Sequence, residues 1–379
     1  MNRPTRFLFA SVALGMVLLS LAATADEGRS VTRTLQQSVD VPNGDDVVVQ
    51  NLVGHMRVVQ GSGPLQVDAT VIAGGDHAEA LAKSVKLSVA TVGKQIQVHV
   101  YYPVDRYDTY IFSPPGSQAQ NDYDDLCILG KYFCFQGKPT FSYQGKRVRV
   151  VQSSHRNGVP LYVDVIIHLP AHVTASFENQ AGLLEADGLV NDLSMATRGG
   201  DIQVENQSGT LNAVSHGGDI RLASMKSSNA QMLTSGGDVT GNRLSGDITI
   251  KTDGGDARLD TVSGKLALMS DGGDVAMAGD LASLQSLRAL TDGGDFSASG
   301  DLTALASVDV NSDGGDIMFR ASNLSTHLNA TSDGGHIHVD LPDMSSVSKS
   351  SHHLSCDINK GTGIWTLRSD GGSITLAKL

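Results

Sequence analysis

The acidic side chains of this chain recur on a register. Between Gly199 and Gly372 the sequence writes nine adjacent glycine pairs, and seven run straight into an aspartate: Asp201, Asp219, Asp238, Asp256, Asp274, Asp295 and Asp316. Others stand just before a pair, at Asp253, Asp271, Asp292, Asp313 and Asp333. Carboxylates in such places have two uses. They can accept hydrogen bonds from turn N–H groups, or, stacked at one repeat spacing, they can share a divalent cation that relieves their repulsion. The calcium-binding pattern Gly-Gly-x-Gly-x-Asp is never written. The structural role is therefore expected, with no cofactor and at most weak calcium.

Other groups with chemical potential are sparse. His336 and His338 alternate on one strand face, and His352, His353 and Cys356 lie nearby. Such a set could bind zinc or copper, but only the first pair has suggestive spacing, and exposed polar histidines are the expectation. Nucleophile-elbow, phosphate-loop and zinc-protease motifs are missing from the sequence. Polysaccharide-cleaving β-helices use Asp with Arg or Lys, and here Arg221, Arg243, Arg258, Arg288 and Arg320 are spread over several repeats without a cluster. No catalytic, cofactor-binding or metal residues are assigned, and the chain reads as a non-enzyme. Cys127 and Cys134, with six residues between them, are expected to pair as a disulfide and Cys356 to stay free, although a bridge to Cys356 remains open.

The elements that hold these groups follow from the period. First glycines fall at 199, 217, 236, 254, 272, 293, 314 and 334, so the step is 18 to 21 residues, and one interval of 37 before Gly371 is about two steps long. A period of this kind marks a solenoid. Ahead of each pair run two apolar columns, one through Leu193, Leu211, Ala230, Ile248, Leu266, Leu287, Val308, Leu328 and Trp365, the other through Met195, Ala213, Met232, Ile250, Leu268, Ala289, Val310, Ala330 and Leu367. The residue between them is usually polar, and alternation of period two means strand. Beyond each pair the alternation resumes, as in Ile202 and Val204 or Ile317 and Phe319. The expected fold is all-β: a parallel, right-handed β-helix whose glycine pairs turn the chain through positive φ.

Residues 1–25 read as a signal peptide, with Arg3 and Arg6 before an apolar run and Ala23-Thr24-Ala25 as the cleavage site. Removing those two arginines takes the net charge from -12 to -14, which argues against nucleic acid as a partner. No later run is apolar enough to span a bilayer. An exported protein is expected, periplasmic in the first place, with secretion or surface association as alternatives. Three segments follow the leader: an N-terminal β-strand segment (26–100) with a short helix at His77 to Ser84, a Tyr/Cys-containing insertion (101–155), and the solenoid (156–379). All eight tyrosines lie between Tyr101 and Tyr162, so the insertion is either a packing flap or a tyrosine-lined contact surface for sugar or protein.

Tyr162-Val163-Asp164-Val165-Ile166-Ile167-His168-Leu169-Pro170, the Glu178-Asn179-Gln180-Ala181-Gly182 turn and the serial Asp-Gly-Gly-Asp steps resemble the bacterial putative-adhesin family with β-strand repeats, a domain of unknown function likened to auto-transporter adhesin heads. The resemblance covers about 40–100 and 156–379. It implies an exported β-helix that binds a protein or glycan or acts as an envelope scaffold, and it brings no catalytic residues. The tyrosine-rich insertion departs from the family pattern. A carbohydrate-active β-helix enzyme and a metal-binding envelope protein are the alternatives.

Overall fold

The computed structural model describes residues 30–112, 140–151 and 157–379, with the backbone of Leu126–Cys127 and Cys134–Phe135. The expected leader, residues 1–25, lies outside the described residues.

Alternation sends every second side chain inward, and the coils stack so that these side chains meet their equivalents one coil away. Leu193, Leu211, Ala230, Ile248, Leu266, Leu287 and Val308 are successive partners in parallel register. Each is at most 3% exposed. The strands ahead of the glycine pairs form a leading ladder, and those behind form a trailing ladder through Ile202, Ile220, Val239, Ala257, Val275, Phe296 and Ile317. The core is the seam between the two. Burying a residue such as Leu266 contributes about 1.5–3 kcal/mol, and only a neighbouring coil can supply that burial.

The two corners of a coil differ. At the corner away from the glycine pairs, the strands Ile220–Thr234, Val239–Thr252 and Ala257–Ser270 pass from one ladder to the other without a break. Here glycine is needed for conformation, because Gly246 and Gly264 have φ of 126° and 95°, which side chains other than glycine rarely adopt.

At the N-terminal end the strands turn antiparallel. Ser30–Val39 pairs with Leu65–Gly74, which pairs with Val159–Leu169, while Lys86–Val92 pairs with Gln95–Tyr101. The described helix, Ala78–Ser84, closes this end with Leu81 and Ala82 buried. Asp46–Val53 and Met56–Gln60 make the first parallel coil against Thr174–Ala181 and Leu184–Asp187.

The C-terminal end departs from the sequence reading. The interval of 37 before Gly371, about two steps long, suggests two further coils in sequence order. Instead, the last coil lies between two earlier ones. Gly363–Ser369 pairs in parallel with Ser307–Ser312 on one side and with Thr326–Ser332 on the other. Ile374–Lys378 likewise sits between Ile317–Asn323 and Ile337–Asp340. The stretch between holds an antiparallel hairpin, Met344–Lys349 with His353–Ile358, that covers the outer side of Thr326–Ser332. Trp365 accounts for the seat of the last coil: it is fully buried, its ring lies 4.8 Å from Phe319, and its Nε1–H donates to the Leu305 carbonyl at 3.1 Å. The outermost strand, Met344–Lys349, is exposed along its length, with a register shift and a positive φ at Ser346. Both features discourage further pairing.

Candidate functional site

The glycine-pair corner carries most of the repeated chemistry, and its first layer is buried. The residue two before each pair is Ser or Thr, from Thr197 through Ser215, Thr234, Thr252, Ser270, Thr291 and Ser312 to Ser369 and Ser332, each at most 2% exposed. Except at Thr197 and Thr291, whose hydroxyls have no hydrogen-bond partner, these hydroxyls take up backbone groups that the turn leaves without partners. In one coil the Gly255 N–H donates to Thr252 Oγ1 at 3.0 Å. Between coils, the Ser215 hydroxyl donates to the Gly200 carbonyl at 3.0 Å and Thr234 to Gly218 at 2.8 Å. Toward the N-terminus the same column continues as Asn179 and Asn51, in register with Thr197. Asn51 Nδ2 donates to Asn179 Oδ1 at 3.1 Å, and the Tyr102 hydroxyl closes the column by donating to the Val53 carbonyl at 2.8 Å.

This layer corrects the expected role of the paired glycines. None of them lies in the left-handed region. The second glycine is required by close approach instead. A Cβ on Gly255 would lie 2.1 Å from the Gly237 carbonyl oxygen of the preceding coil, whereas one on Gly254 meets nothing nearer than 3.6 Å.

The aspartates after the pairs form the second layer. Each carboxylate accepts the backbone N–H of the aspartate one coil on: Asp219 to Asp201 at 3.0 Å, Asp238 to Asp219 at 2.8 Å, Asp256 to Asp238 at 2.9 Å, and onward to Asp316. The ladder then steps to Ser373, whose N–H donates to Asp316 at 2.7 Å, and from Ser373 to His336. It thus follows the spatial order of the coils. Arg221 bridges Asp201 and Asp219, and Arg258 bridges Asp238 and Asp256. Burial pushes the Asp201 carboxyl up to about 7 against the pull of Arg221, and burial also raises Asp219. Farther along, Asp274, Asp295 and Asp316 are exposed.

The remaining expected groups are dispersed. His336 and His338 are exposed beside the trailing ladder's outer strand, while His352 and His353 lie on the hairpin against the leading ladder. His352 Nδ1 contacts the Ser332 carbonyl at 3.1 Å, and His327 pairs with Asp357 at 2.7 Å. Among the described residues no three His, Cys, Asp or Glu side chains converge as metal ligands. Cys356 is free and buried, opposite Leu328, and burial raises its thiol, with Asp357 adding to the effect. The backbone sets Cys127 across from Cys134 in a two-stranded ladder, but their side chains, and hence the expected disulfide, lie outside the described residues.

The tyrosines divide. Tyr102, Tyr110 and Tyr143 are buried at the N-terminal end, and Tyr102 meets the other two edge to face, 5.4 Å from Tyr110 and 6.0 Å from Tyr143. Tyr101 is 45% exposed, its ring 4.5 Å from His99. His99 Nδ1 contacts Gln50 Oε1 at 2.9 Å, and Gln50 donates to Glu178 at 2.9 Å. Burial lowers the His99 imidazole, with Glu178 opposing. This polar and aromatic row lies on the outer side of the leading ladder.

Residues 162–377 match the Toastrack DUF4097 family, over half of the chain. Among curated proteins no match is found. Similar solved structures include a putative cell adhesion protein from Clostridium sporogenes, 8% identical over 92% of this chain and 100% of that one, with a TM-score of 0.20. A putative adhesin from Bacteroides fragilis is 11% identical over 92% and 97%, with a TM-score of 0.30. A putative lipid binding protein from Parabacteroides distasonis is 8% identical over 90% and 96%, with a TM-score of 0.29. Superpositions this loose carry no argument about role.

Proposed function

The chain belongs to the Toastrack DUF4097 family, and we propose that it is an exported, non-enzymatic binding or scaffold protein of the bacterial cell envelope whose lateral faces engage a protein or glycan. One observation carries this reading: the outward side chains stand in unbroken rows on a hydrogen-bonded ladder, from Gln50 and Glu178 through Ala196 and Val214 to Asn311 and Arg368. A rigid surface of this kind meets a partner at little ordering cost. Exposed Tyr101 beside His99 adds the amphipathic ring that glycan and protein contacts favour. No described helix is long and apolar enough to cross a membrane, and the leader motivates periplasmic placement. The reading includes no resident cofactor; a melting shift with millimolar calcium, reversed by chelator, would add one.

Presentation of envelope polysaccharides to the full chain separates binding from turnover. Retention without chain cleavage, weakened by Tyr101→Ala, supports the reading. Cleavage abolished by Asp201→Asn or Arg258→Ala would overturn it in favour of a carbohydrate-active β-helix. Fractionation of cells expressing the whole chain tests export: a product shortened after Ala25 in the periplasmic fraction is expected, and an uncut cytoplasmic product contradicts it.

A further inference from the structure

The outer side of the leading ladder is not uniformly polar. The row between the second aliphatic column and the buried Ser/Thr column reads Ala196, Val214, Leu233, Lys251, Met269 and Leu290 in successive coils. Met269 is 36% exposed, and the others are half-buried. At roughly 4.8 Å per coil this apolar stripe is about 24 Å long. The corresponding row on the trailing ladder, Gln203, Arg221, Thr240, Arg258, Ala276 and Ser297, is polar but for Ala276. Apolar residues flanking Lys251 on both sides, on the leading face and not the trailing one, mark a contact surface.

Beside the stripe runs a row of opposite charge at its two ends. It begins with Arg198, His216 and Ser235 and continues as Asp253, Asp271, Asp292, Asp313, Asp370 and Asp333. Its spatial order is fixed by backbone bonds: His216, Ser235, Asp253, Asp271, Asp292, Asp313, Asp370 and Asp333 each donate an N–H to the Ser or Thr carbonyl of the adjacent coil. All are exposed except Asp253, which is half-buried.

The geometry points to a second copy of this chain as the occupant of the face, with the two rods antiparallel. A twofold axis along the strands at the Lys251 coil lays each row on itself in reverse. Leu233 then faces Met269, Val214 faces Leu290, Arg198 faces Asp313, and His216 faces Asp292. One row over, Glu178, four coils before Lys251, faces Arg368, four coils after it. At the centre Lys251, 3.1 Å from Asp253, meets the same pair of the other copy, two cations with two carboxylates. A parallel arrangement with its axis along the stripe sets Glu178, Lys251 and Arg368 each on its own like, so electrostatics selects the antiparallel one. With the flanking row through Asn212, Gln231, Thr249, Ala267 and Arg288, three rows over nine coils cover roughly 40 Å by 18 Å, on the order of 1,400 Å² counting both copies, within the range of stable interfaces.

Sedimentation of the full chain over a concentration series tests this. A dimer is expected. Leu233→Asp should return it to monomer with unchanged circular dichroism. Arg198→Asp, on an exposed side chain that the fold does not need, should weaken association roughly tenfold, and adding Asp313→Arg to the same chain should restore it. A wild-type monomer at the highest concentration reached would overturn the inference, as would a dimer indifferent to Arg198→Asp or one that the second reversal fails to rescue.

Discussion

In the central coils, from Asp192 to Asn323, order along the chain and order in space coincide. In the last third they part, and the coil of Gly363–Ser369 stands inside the coil of Thr326–Ser332. Both regions use the same aliphatic alternation and the same Ser/Thr-x-Gly-Gly corner. The difference shows that the repeat specifies how a coil docks but not which coil it docks on. Rank in the stack is decided by a few large side chains, Trp365 and Phe319 above all.

The harshest way to break the contrast is to remove residues 363–379. In a simple solenoid, loss of a terminal coil costs one interface. Here it takes the partner of Ser307–Ser312 and that of Thr326–Ser332 together. Hydrogen exchange should show protection lost over Thr326–Ser332 and the hairpin, while Val239–Thr252 keeps it.

A smaller change separates the two glycines of one pair. Gly255→Ala is expected to destabilise by about 3 kcal/mol or more, because the new Cβ meets a backbone carbonyl that cannot yield without parting the coils. Gly254→Ala should stay within about 1 kcal/mol of wild type. Equal losses in chemical denaturation would refute the close-approach account and restore one based on turn conformation.

The aspartate ladder has its own asymmetry, buried and Arg-bridged at Asp201 but exposed at Asp295. Folded Asp201 holds its proton up to about pH 7, whereas its ordinary value is 3.8. The folded state therefore binds more protons than the unfolded one between these values. The stability from this group is full below about pH 4 and is lost as pH rises toward 7. Asp201→Asn keeps the acceptor for the Asp219 N–H and should flatten that fall, worth on the order of 2 kcal/mol. Melting at pH 5 and pH 8 reads the difference, and Asp295→Asn should leave it intact.

Least in size is the hydroxyl column. Thr252 both accepts and donates in its corner, while Thr291 Oγ1 has no hydrogen-bond partner. Thr252→Val should cost about 1–1.5 kcal/mol and Thr291→Val under about 0.5 kcal/mol.

Much of this architecture was legible in the sequence. The columns through Leu211, Ile248 and Leu266 identify strands, coil length and core without ambiguity, because period two and period eighteen to twenty-one reinforce each other. The glycine pairs were legible as corners but misleading as to cause: composition cannot tell a glycine that needs positive φ, such as Gly264, from one that needs room, such as Gly255. The Ser/Thr column is written in every repeat but has the look of ordinary turn polarity, since hydroxyls at a corner usually face water. The apolar stripe through Val214, Leu233 and Leu290 lies between the second aliphatic column and the Ser/Thr column, where it reads as imperfect alternation. The inversion at the C-terminus was not legible, because the repeat pattern admits both Leu328 and Trp365 to the same column, and the contacts of Trp365 with Phe319 and Leu305 that rank them arise only on folding.

Stacking order is the claim on which the rest depends, and cysteine pairs on the outer row test it directly. Neighbouring parallel strands bring Cα atoms within disulfide reach, whereas two coils' separation of about 9.6 Å does not. Asn311 is in register with Arg368, and Arg368 with Thr331. Oxidation should therefore cross-link Asn311→Cys with Arg368→Cys and leave Asn311→Cys with Thr331→Cys unlinked. The opposite pattern would place the coils in sequence order and contradict the account.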